Sequence, residues 1–398
     1  MPKDSRALEL TKLRSDGMEL TIQQTDLAFA VGKAMGSISA KSPMPLLSCL
    51  LLETEKNMLR VTGTDLELTT AVSIPCVVKT PGKAAVSARH FHEVVRKMPR
   101  GEVQLTASGQ QVEIRYGDGK GWSSFPTQDA SDFPRVPDLK AETKISIEGE
   151  ALARLVSRTG YAVSSDASRP QLSGVLLHGN DRQMILVATD GHRLARATRK
   201  GTFSGLNKDG VIVPSRALAT LSRTAEEATS PVEVEIAGSR NQAAFAAQVG
   251  DYRVQVLVRL LQGPYPNYEQ VIPKSNPREV TVSRDELLAA VDIVASHADN
   301  VTRQVRFSLV DGKVGVSSAT ELGSGRHEVG ADYRGEAMEI GYNATYLLDM
   351  LKSIQSEKVV LRLGTALGAG VVEPVEGLPQ SEEDLLCLIM PLRLPDAG

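Results

Sequence analysis

The residues best suited to chemistry lie in one short run, Thr189-Asp190-Gly191-His192-Arg193-Leu194. Asp190 and His192 have the types of a general base awaiting a nucleophile, which would make the chain a hydrolase. Asp-Gly is equally a turn signal, with His192 and Arg193 left at the exposed edge. The run Thr64-Asp65-Leu66-Glu67 repeats the turn without a histidine, so the pattern reads as architecture before catalysis. No G-x-x-x-x-G-K-[ST], strand-linked G-x-G-x-x-G, H-E-x-x-H or G-x-S-x-G run occurs elsewhere. Gly117-Asp118-Gly119-Lys120-Gly121 has the glycines of a phosphate loop, but no helix-forming run follows, and a hairpin turn is expected. His297 and His327 have no metal-ligand spacing to anything nearby, so neither a metal nor a cofactor is expected. Cys49, Cys76 and Cys387 are odd in number and far apart, as expected of free thiols in a reducing cytoplasm.

Those residues need a scaffold, and the chain repeats one. Amphipathic runs open three segments at residues 27–35, 152–161 and 287–294. Apolar strand-like runs follow at 46–52, 172–177 and 305–310, then second strands ending in polar kinks at Asp65, Asp190 and Glu321. Further short strands run into second helices at Ala88, Ser215 and Asn343. The kinks are 125 and 131 residues apart, and the second-helix starts 127 and 128 apart. A period that long makes each repeat a domain rather than a solenoid turn. The 398 residues therefore divide into three, within the two to four domains expected at about 100–200 residues each. The expected boundaries are an extension at 1–17, then domains at 18–138, 139–273 and 274–398. β-Branched runs between Gly, Asp and Pro turns predict antiparallel sheets carrying two helices per repeat, an α+β fold. Proline-rich linkers are expected at 133–138 and 264–277.

Composition narrows the function. Hydrophobic residues make up 41%, enough for real cores, while aromatics are 4% with Trp122 alone among tryptophans, which disfavours a base-stacking surface. No stretch approaches ~20 uninterrupted apolar residues, and the mixed charges of the first six residues are not a secretory signal. Lys+Arg 45 against Asp+Glu 48 leaves −3, which taken alone argues against DNA binding. The charge is uneven, however. Arg89, Arg96, Lys97 and Arg100 gather on one helix, Arg154, Arg158, Arg169, Arg216 and Arg223 on the second repeat, and fewer on the third. Helices facing one common surface would give phosphates a basic lining. The terminal run 385–394 is apolar almost to its end; Pro391 should stop strand pairing and leave Met390, Leu392 and Leu394 to line either a core or a partner groove.

Several of these runs resemble the bacterial sliding clamps, the beta subunits of DNA polymerase III. They are Val187-Ala188-Thr189-Asp190-Gly191-His192-Arg193-Leu194-Ala195, Val211-Ile212-Val213-Pro214-Ser215-Arg216, Pro266-Asn267-Tyr268 with Val271-Ile272-Pro273, and Met390-Pro391-Leu392-Arg393-Leu394. The first repeat adds Pro45-Leu46-Leu47 and Gly63-Thr64-Asp65-Leu66-Glu67. The resemblance implies a DNA clamp fold whose three-domain crescents close head to tail into a homodimeric ring around duplex DNA. Such a ring has no catalysis of its own, is opened by a clamp loader, and tethers the polymerase III catalytic subunit, other polymerases and repair proteins. It needs no membrane and belongs to the bacterial cytoplasm, on the nucleoid.

The same resemblance implies a partner-peptide groove of Leu172, Thr189, Gly191, His192, Arg193 and Leu194, with Pro266, Gln270 and Val271 from the linker. Asn343, Tyr346 and Leu367 join from the third domain, closed by Leu388, Ile389, Met390, Pro391, Leu392 and Arg393. The positions matching the DNA face are Lys41, Arg89, Arg96, Arg169, Gln171 and Arg216. Departures from the family pattern are Gln270 in place of a basic residue, Pro170-Gln171 in place of an aromatic pair, and Ser296-His297 where larger apolar residues are expected. The ring seam is expected to join residues 108–116 to 296–305. Gln270 and the terminal extensions raise the alternative of a specialised paralogue, for instance an inhibitor-resistant one.

Overall fold

The amphipathic periods fold as helices that bury one stripe each. In α1 (Gln24–Ala34), Leu27, Ala30, Val31 and Ala34 are buried, the i, i+3, i+4, i+7 pattern of a helix lying on a sheet. α2 (Ala88–Lys97) buries Phe91 and Val95, with Phe91 set edge-on to Phe125 at 5.1 Å. α3 (Gly149–Gly160) and α4 (Ser215–Glu226) occupy the same places in the second repeat. In the third, α5 (Arg284–Ala295) buries Leu287, Ala290, Val291 and Val294, the stripe of α1 again, and α6 (Ala344–Ser353) buries Leu347, Leu348 and Leu351. The fold is α+β, two helices to each repeat, with antiparallel sheets.

A computed structural model describes residues 17–39, 44–136, 139–321, 323–375 and 382–394. Compactness does not follow the repeats. One unit holds Met1–Glu150 and Ala219–Arg259, the other Ala151–Leu218 and Leu260–Gly398. Among the described residues each has its own sheet, of 13 strands in the first and 12 in the second. In the first unit, the second repeat's strand Tyr252–Arg259 pairs with Leu68–Pro75 of the first repeat, from Arg253 opposite Ser73 to Val258 opposite Leu68. In the second unit, the chain's last strand, Glu383–Ile389, lies between Arg193–Lys200 and Gly370–Pro374, with Arg193 opposite Ile389 and Arg199 opposite Glu383. Both joints are continuous backbone ladders, so the sequence repeat and the hydrogen-bonded unit have different boundaries.

A charge cluster fastens the last strand from beneath. The Glu383 side chain is fully buried, and Arg154 Nη2 donates to its Oε1 at 2.7 Å while Arg158 Nη1 donates to Oε2. Arg158 is itself only 1% exposed. Burial alone would push the Glu383 carboxyl up, but the hydrogen bonds from Arg154 and Arg158 outweigh it and hold the group below its usual range. This corrects the expectation that Arg154 and Arg158 belong to a phosphate-facing surface. Arg158 is sequestered and both are engaged with Glu383. Arg199 Nη1 lies 3.6 Å from the same Oε1, so replacing Glu383 by Ala takes the carboxylate from three guanidiniums and should cost about 3–5 kcal/mol in urea unfolding at neutral pH. A carboxyl depressed in the folded state contributes above its unfolded value, near 4.3, and loses that contribution as pH falls through the folded one. The gap between wild type and Glu383→Ala should therefore narrow in acid, and a constant gap from pH 7 to pH 3 would contradict the assignment.

Candidate functional site

The Thr189–Arg193 turn is closed by its own side chains. Asp190 Oδ1 accepts from the backbone N–H of His192 at 2.9 Å and of Arg193 at 3.0 Å. Asp190 Oδ2 receives Arg193 Nε at 3.1 Å. Thr189 Oγ1 donates to the Arg193 carbonyl at 2.7 Å and accepts from Gly191 N–H at 3.1 Å. Gly191 sits at φ +92°, where a β-carbon would be strained. With both Asp190 oxygens engaged, the carboxylate orients a turn, not the exposed His192 ring.

Arg193 is the hub. Its Nη1 donates to Asp349 Oδ2 of α6 at 2.7 Å, and its guanidinium lies 4.5 Å from the Tyr346 ring centroid and 5.3 Å from that of Tyr161. Tyr346 also stacks on His192, with centroids 6.3 Å apart and planes 22° from parallel. Asn343 caps α6, accepting from Tyr346 N–H at 3.2 Å and donating to the Thr302 carbonyl at 2.9 Å, so its polar atoms serve structure. Asp349 and Tyr161 in the hub, and Glu383 at the far end of the last strand, are what sequence reasoning missed. Nothing local marks them, since each meets its partner only through strand pairing or helix packing.

The expected groove residues divide by burial. Leu172, Leu194, Leu388 and Ile389 are at most 3% exposed and form floor, not wall. Leu194 and Leu388 join Leu176, Val187, Ile212, Tyr268, Val371 and Leu386 in one cluster, with Tyr265 and Ile272 of the linker against it. Buried Tyr268 hydrogen-bonds His178 Nε2 at 3.0 Å, and burial pushes its phenol up to about 12. Val271, Leu367 and Met390 stand out above that floor at 54%, 61% and 38% exposed. Pro266 and Gln270 are exposed beside Val271 on the linker, and Pro391, Leu392 and Arg393 continue from Met390. Val271, Leu367 and Met390 are thus exposed apolar side chains flanking residues of that floor, and the exposed His192 ring lies beside Met390, whose N–H bonds the His192 carbonyl.

Family descriptions for the DNA polymerase III beta subunit match the chain three times in order. The N-terminal domain matches residues 18–137, the central domain 146–267 and the C-terminal domain 269–393. The chain belongs to the beta sliding clamps. The beta sliding clamp of Caulobacter vibrioides is 30% identical over 384 residues, covering 95% of this chain and 100% of that protein. That of Escherichia coli K12 is 28% identical over 380 residues, with 95% and 100% covered. A sliding clamp from Bartonella birtlesii, solved bound to griselimycin, superposes with a TM-score of 0.87 at 26% identity, over 95% of this chain and 100% of that one. A clamp from Pseudomonas aeruginosa, solved with a ligand, gives 0.86 at 28% identity and the same coverage. Clamps are non-catalytic processivity factors, so neither the hydrolase reading nor the specialised-paralogue reading is favoured.

Two expectations about the clamp change. The last strand ends at Ile389, ahead of Pro391 as expected, but the residues after it are still tied down: Met390 N–H donates to the His192 carbonyl at 2.8 Å, and beyond the proline Leu392 N–H donates to the Gly341 carbonyl at 2.8 Å in an isolated bridge. Gln304 Nε2 adds a bond to the Arg393 carbonyl at 3.0 Å. Residues 108–116 also cannot supply a free seam, because Gln111–Tyr116 is paired on one side with Glu102–Ser108 and on the other with Gly121–Gln128. Among the described residues the open backbone of that region belongs to 121–126, since Gly121–Gln128 meets Lys83–Ser87 only at Thr127 and Gln128. Pro126 suits an edge strand, and Trp122 on it is 65% exposed. In the other unit Gly323–Asp332 has a similar open edge, pairing with Arg278–Ser283 only at Ala331 and Asp332. His297 lies against that edge, with its Cδ2 2.6 Å from where a Gly325 β-carbon would stand.

Of the positions matched to DNA, Lys41 lies outside the described residues. Arg89 and Arg96 are exposed on α2, and Arg216 is exposed at the start of α4. Arg169 is half-buried and donates to Asp166 Oδ2 at 2.8 Å and to the Asp190 carbonyl at 3.2 Å, with half-buried Gln171 beside it. Hydrogen bonds from Ser168, then from Arg169, bring the Asp166 carboxyl down to about 2.

The tail hangs on Gly341. A β-carbon there would stand 2.6 Å from the Leu392 carbonyl oxygen and 3.1 Å from Gln304 Nε2. Gly341→Ala should therefore release the tail. The Leu392 amide should exchange its hydrogen roughly five- to tenfold faster, the loss of about one hydrogen bond. Amides of α5, remote from the tail, should keep their rates. Unchanged exchange at Leu392 would show that the anchor lies elsewhere.

Proposed function

We propose that this clamp encircles duplex DNA as a homodimeric ring and tethers polymerases through the Val271–Leu367–Met390 surface beside His192. The observation that carries this is the exposure of those three apolar side chains, each within two residues of Ile272, Ala369 or Leu388 on the same apolar cluster. Exposed apolar groups on a rigid base mark partner sites more often than folding needs. A short, partly apolar peptide fits there, its backbone against the Gly191–His192 turn. Gln270 gives the linker side a neutral amide, so acidic peptide residues gain less there than from a basic side chain. The domain limits proposed are 18–138, 139–273 and 274–398.

For DNA, the proposed contacts are Arg89, Arg96, Arg169, Gln171 and Arg216, with Lys41. Contacts to phosphate carry no sequence information, and a closed ring needs only weak ones, so it can slide. The ring would close by pairing the open edge at 121–126 of one copy with that at 323–330 of its partner. Ser296 and His297 make this seam polar. A bacterial cytoplasmic location follows from the replication role; among the described residues no helix is long and apolar enough to cross a membrane.

Closure has a built-in probe, because Trp122 is the single tryptophan and sits on the proposed edge. Its emission should shift to the blue as concentration rises through the dimerisation range, in step with size on gel filtration. A chain that stays monomeric at micromolar concentration and is not retained on circular DNA by a clamp loader would sink the ring reading. At the groove, His192→Ala should weaken binding of a polymerase-derived peptide by about 1–3 kcal/mol, measured by calorimetry. Ending the chain at Met390 should weaken it further while Trp122 emission stays as in wild type. Normal peptide affinity in both variants would refute the groove assignment.

A further inference from the structure

The turn that carries the groove has a replica in the first unit. Asp65 Oδ1 accepts from Glu67 N–H at 2.9 Å and Leu68 N–H at 2.7 Å, as Asp190 does from His192 and Arg193. Thr64 Oγ1 accepts from Leu66 N–H at 3.1 Å and donates to the Leu68 carbonyl at 3.3 Å, the roles of Thr189. Arg259 N–H donates to the Glu67 carbonyl at 2.8 Å, just as Met390 N–H does to His192. The joint between the first and second repeats is thus built on the same backbone frame as the groove. Beside it lies a cavity of about 120 Å³, walled by Leu66, Pro134, Val136 and Leu257 with Arg135 and Arg259 among its lining.

Two features of that cavity are not accounted for by folding. Leu66 stands where the other turn has Gly191, at φ +78°, in the left-handed region that disfavours a leucine, and it is 52% exposed. A residue with a strained backbone and a half-exposed apolar side chain gains little from either in the free chain. The positive charge is also incompletely matched. Arg259 meets Glu67 at 3.3 Å with both side chains more than half exposed, a weak pair, and Arg135 has no ion-pair partner among the described residues.

We propose that this cavity is a second docking pocket, which takes one aliphatic side chain of a short acidic peptide. The volume is well below the roughly 300–1,000 Å³ of small-molecule sites, so it suits a single leucine-sized group. Arg135 and Arg259 outnumber Glu67 at the rim, which selects acidic residues beside that group. The pocket rests on the reading of the groove only for the analogy of frame. The two sites have separate reporters: Leu66, Val136 and Leu257 for this pocket, Val271, Leu367 and Met390 for the groove.

The test is a titration of the methyl-labelled full-length clamp with a capped Ser-Asp-Leu-Asp-Ser peptide, followed by NMR. Shifts at Leu66, Val136 and Leu257 are expected, reduced with a Ser-Lys-Leu-Lys-Ser peptide. Arg135→Glu, at an exposed position, should weaken the response roughly fivefold, and Val136→Trp should abolish it by filling the cavity. Shifts that are absent at these methyls, or equal for the two peptides, or untouched by both substitutions, would overturn the second pocket. Failure of the groove reading would appear separately, as silence at Val271, Leu367 and Met390 when a polymerase-derived peptide is added.

Discussion

The proposed partner surface depends on the register of one strand, Glu383–Ile389, and a buried charge helps to set it. A sheet alternates its faces, so a slip of one residue would turn Glu383 away from Arg154 and Arg158 and bring Asp384 toward them. Taking a carboxylate out of water costs several kcal/mol, which only close cationic partners offset. In the observed register Glu383 has them, Leu388 falls opposite Leu194 on the apolar floor, and Met390 reaches the His192 carbonyl. The position of the wall therefore follows from an interaction at the opposite end of the strand.

Arg193 plays the matching part at the near end. It joins the turn, through Asp190, to α6 through Asp349, and its guanidinium packs against Tyr161 and Tyr346. A turn held on three sides keeps Gly191 and His192 in place although both are exposed. The comparison with the Thr64–Leu68 turn separates frame from function. The backbone bonds are reproduced, but Leu68, Glu67 and Arg259 stand where Arg193, His192 and Met390 do, so only one joint carries the aromatic and charged hub.

The small net charge takes on a different meaning once burial is known. Two of the arginines that enrich the second repeat are engaged with Glu383, whereas those of α2 remain exposed. A clamp that holds DNA by enclosure needs few phosphate contacts, and an acidic exterior limits non-specific adhesion. A total of −3 is compatible with such a protein because the sum says nothing about where each sign lies.

The repeats, the helix stripes and the turn chemistry were legible in the sequence because each depends on neighbours within a few residues. The buried stripes of α1 and α5 and the Asp65 and Asp190 turns follow from spacing alone, and the proposed terminal residues of the groove from their likeness to a family. What only the tertiary structure decided is which side chains lose water and which strand edges stay open. Arg158 and Glu383 are 225 residues apart, and nothing in the Arg154 helix announces its carboxylate. Likewise the alternation of Gln111–Tyr116 reads like any edge strand, yet it is paired on both sides, and the open edge belongs to its neighbour. Local periodicity reports which face of an element is apolar; desolvation and sheet order depend on the partner that long-range pairing brings to it.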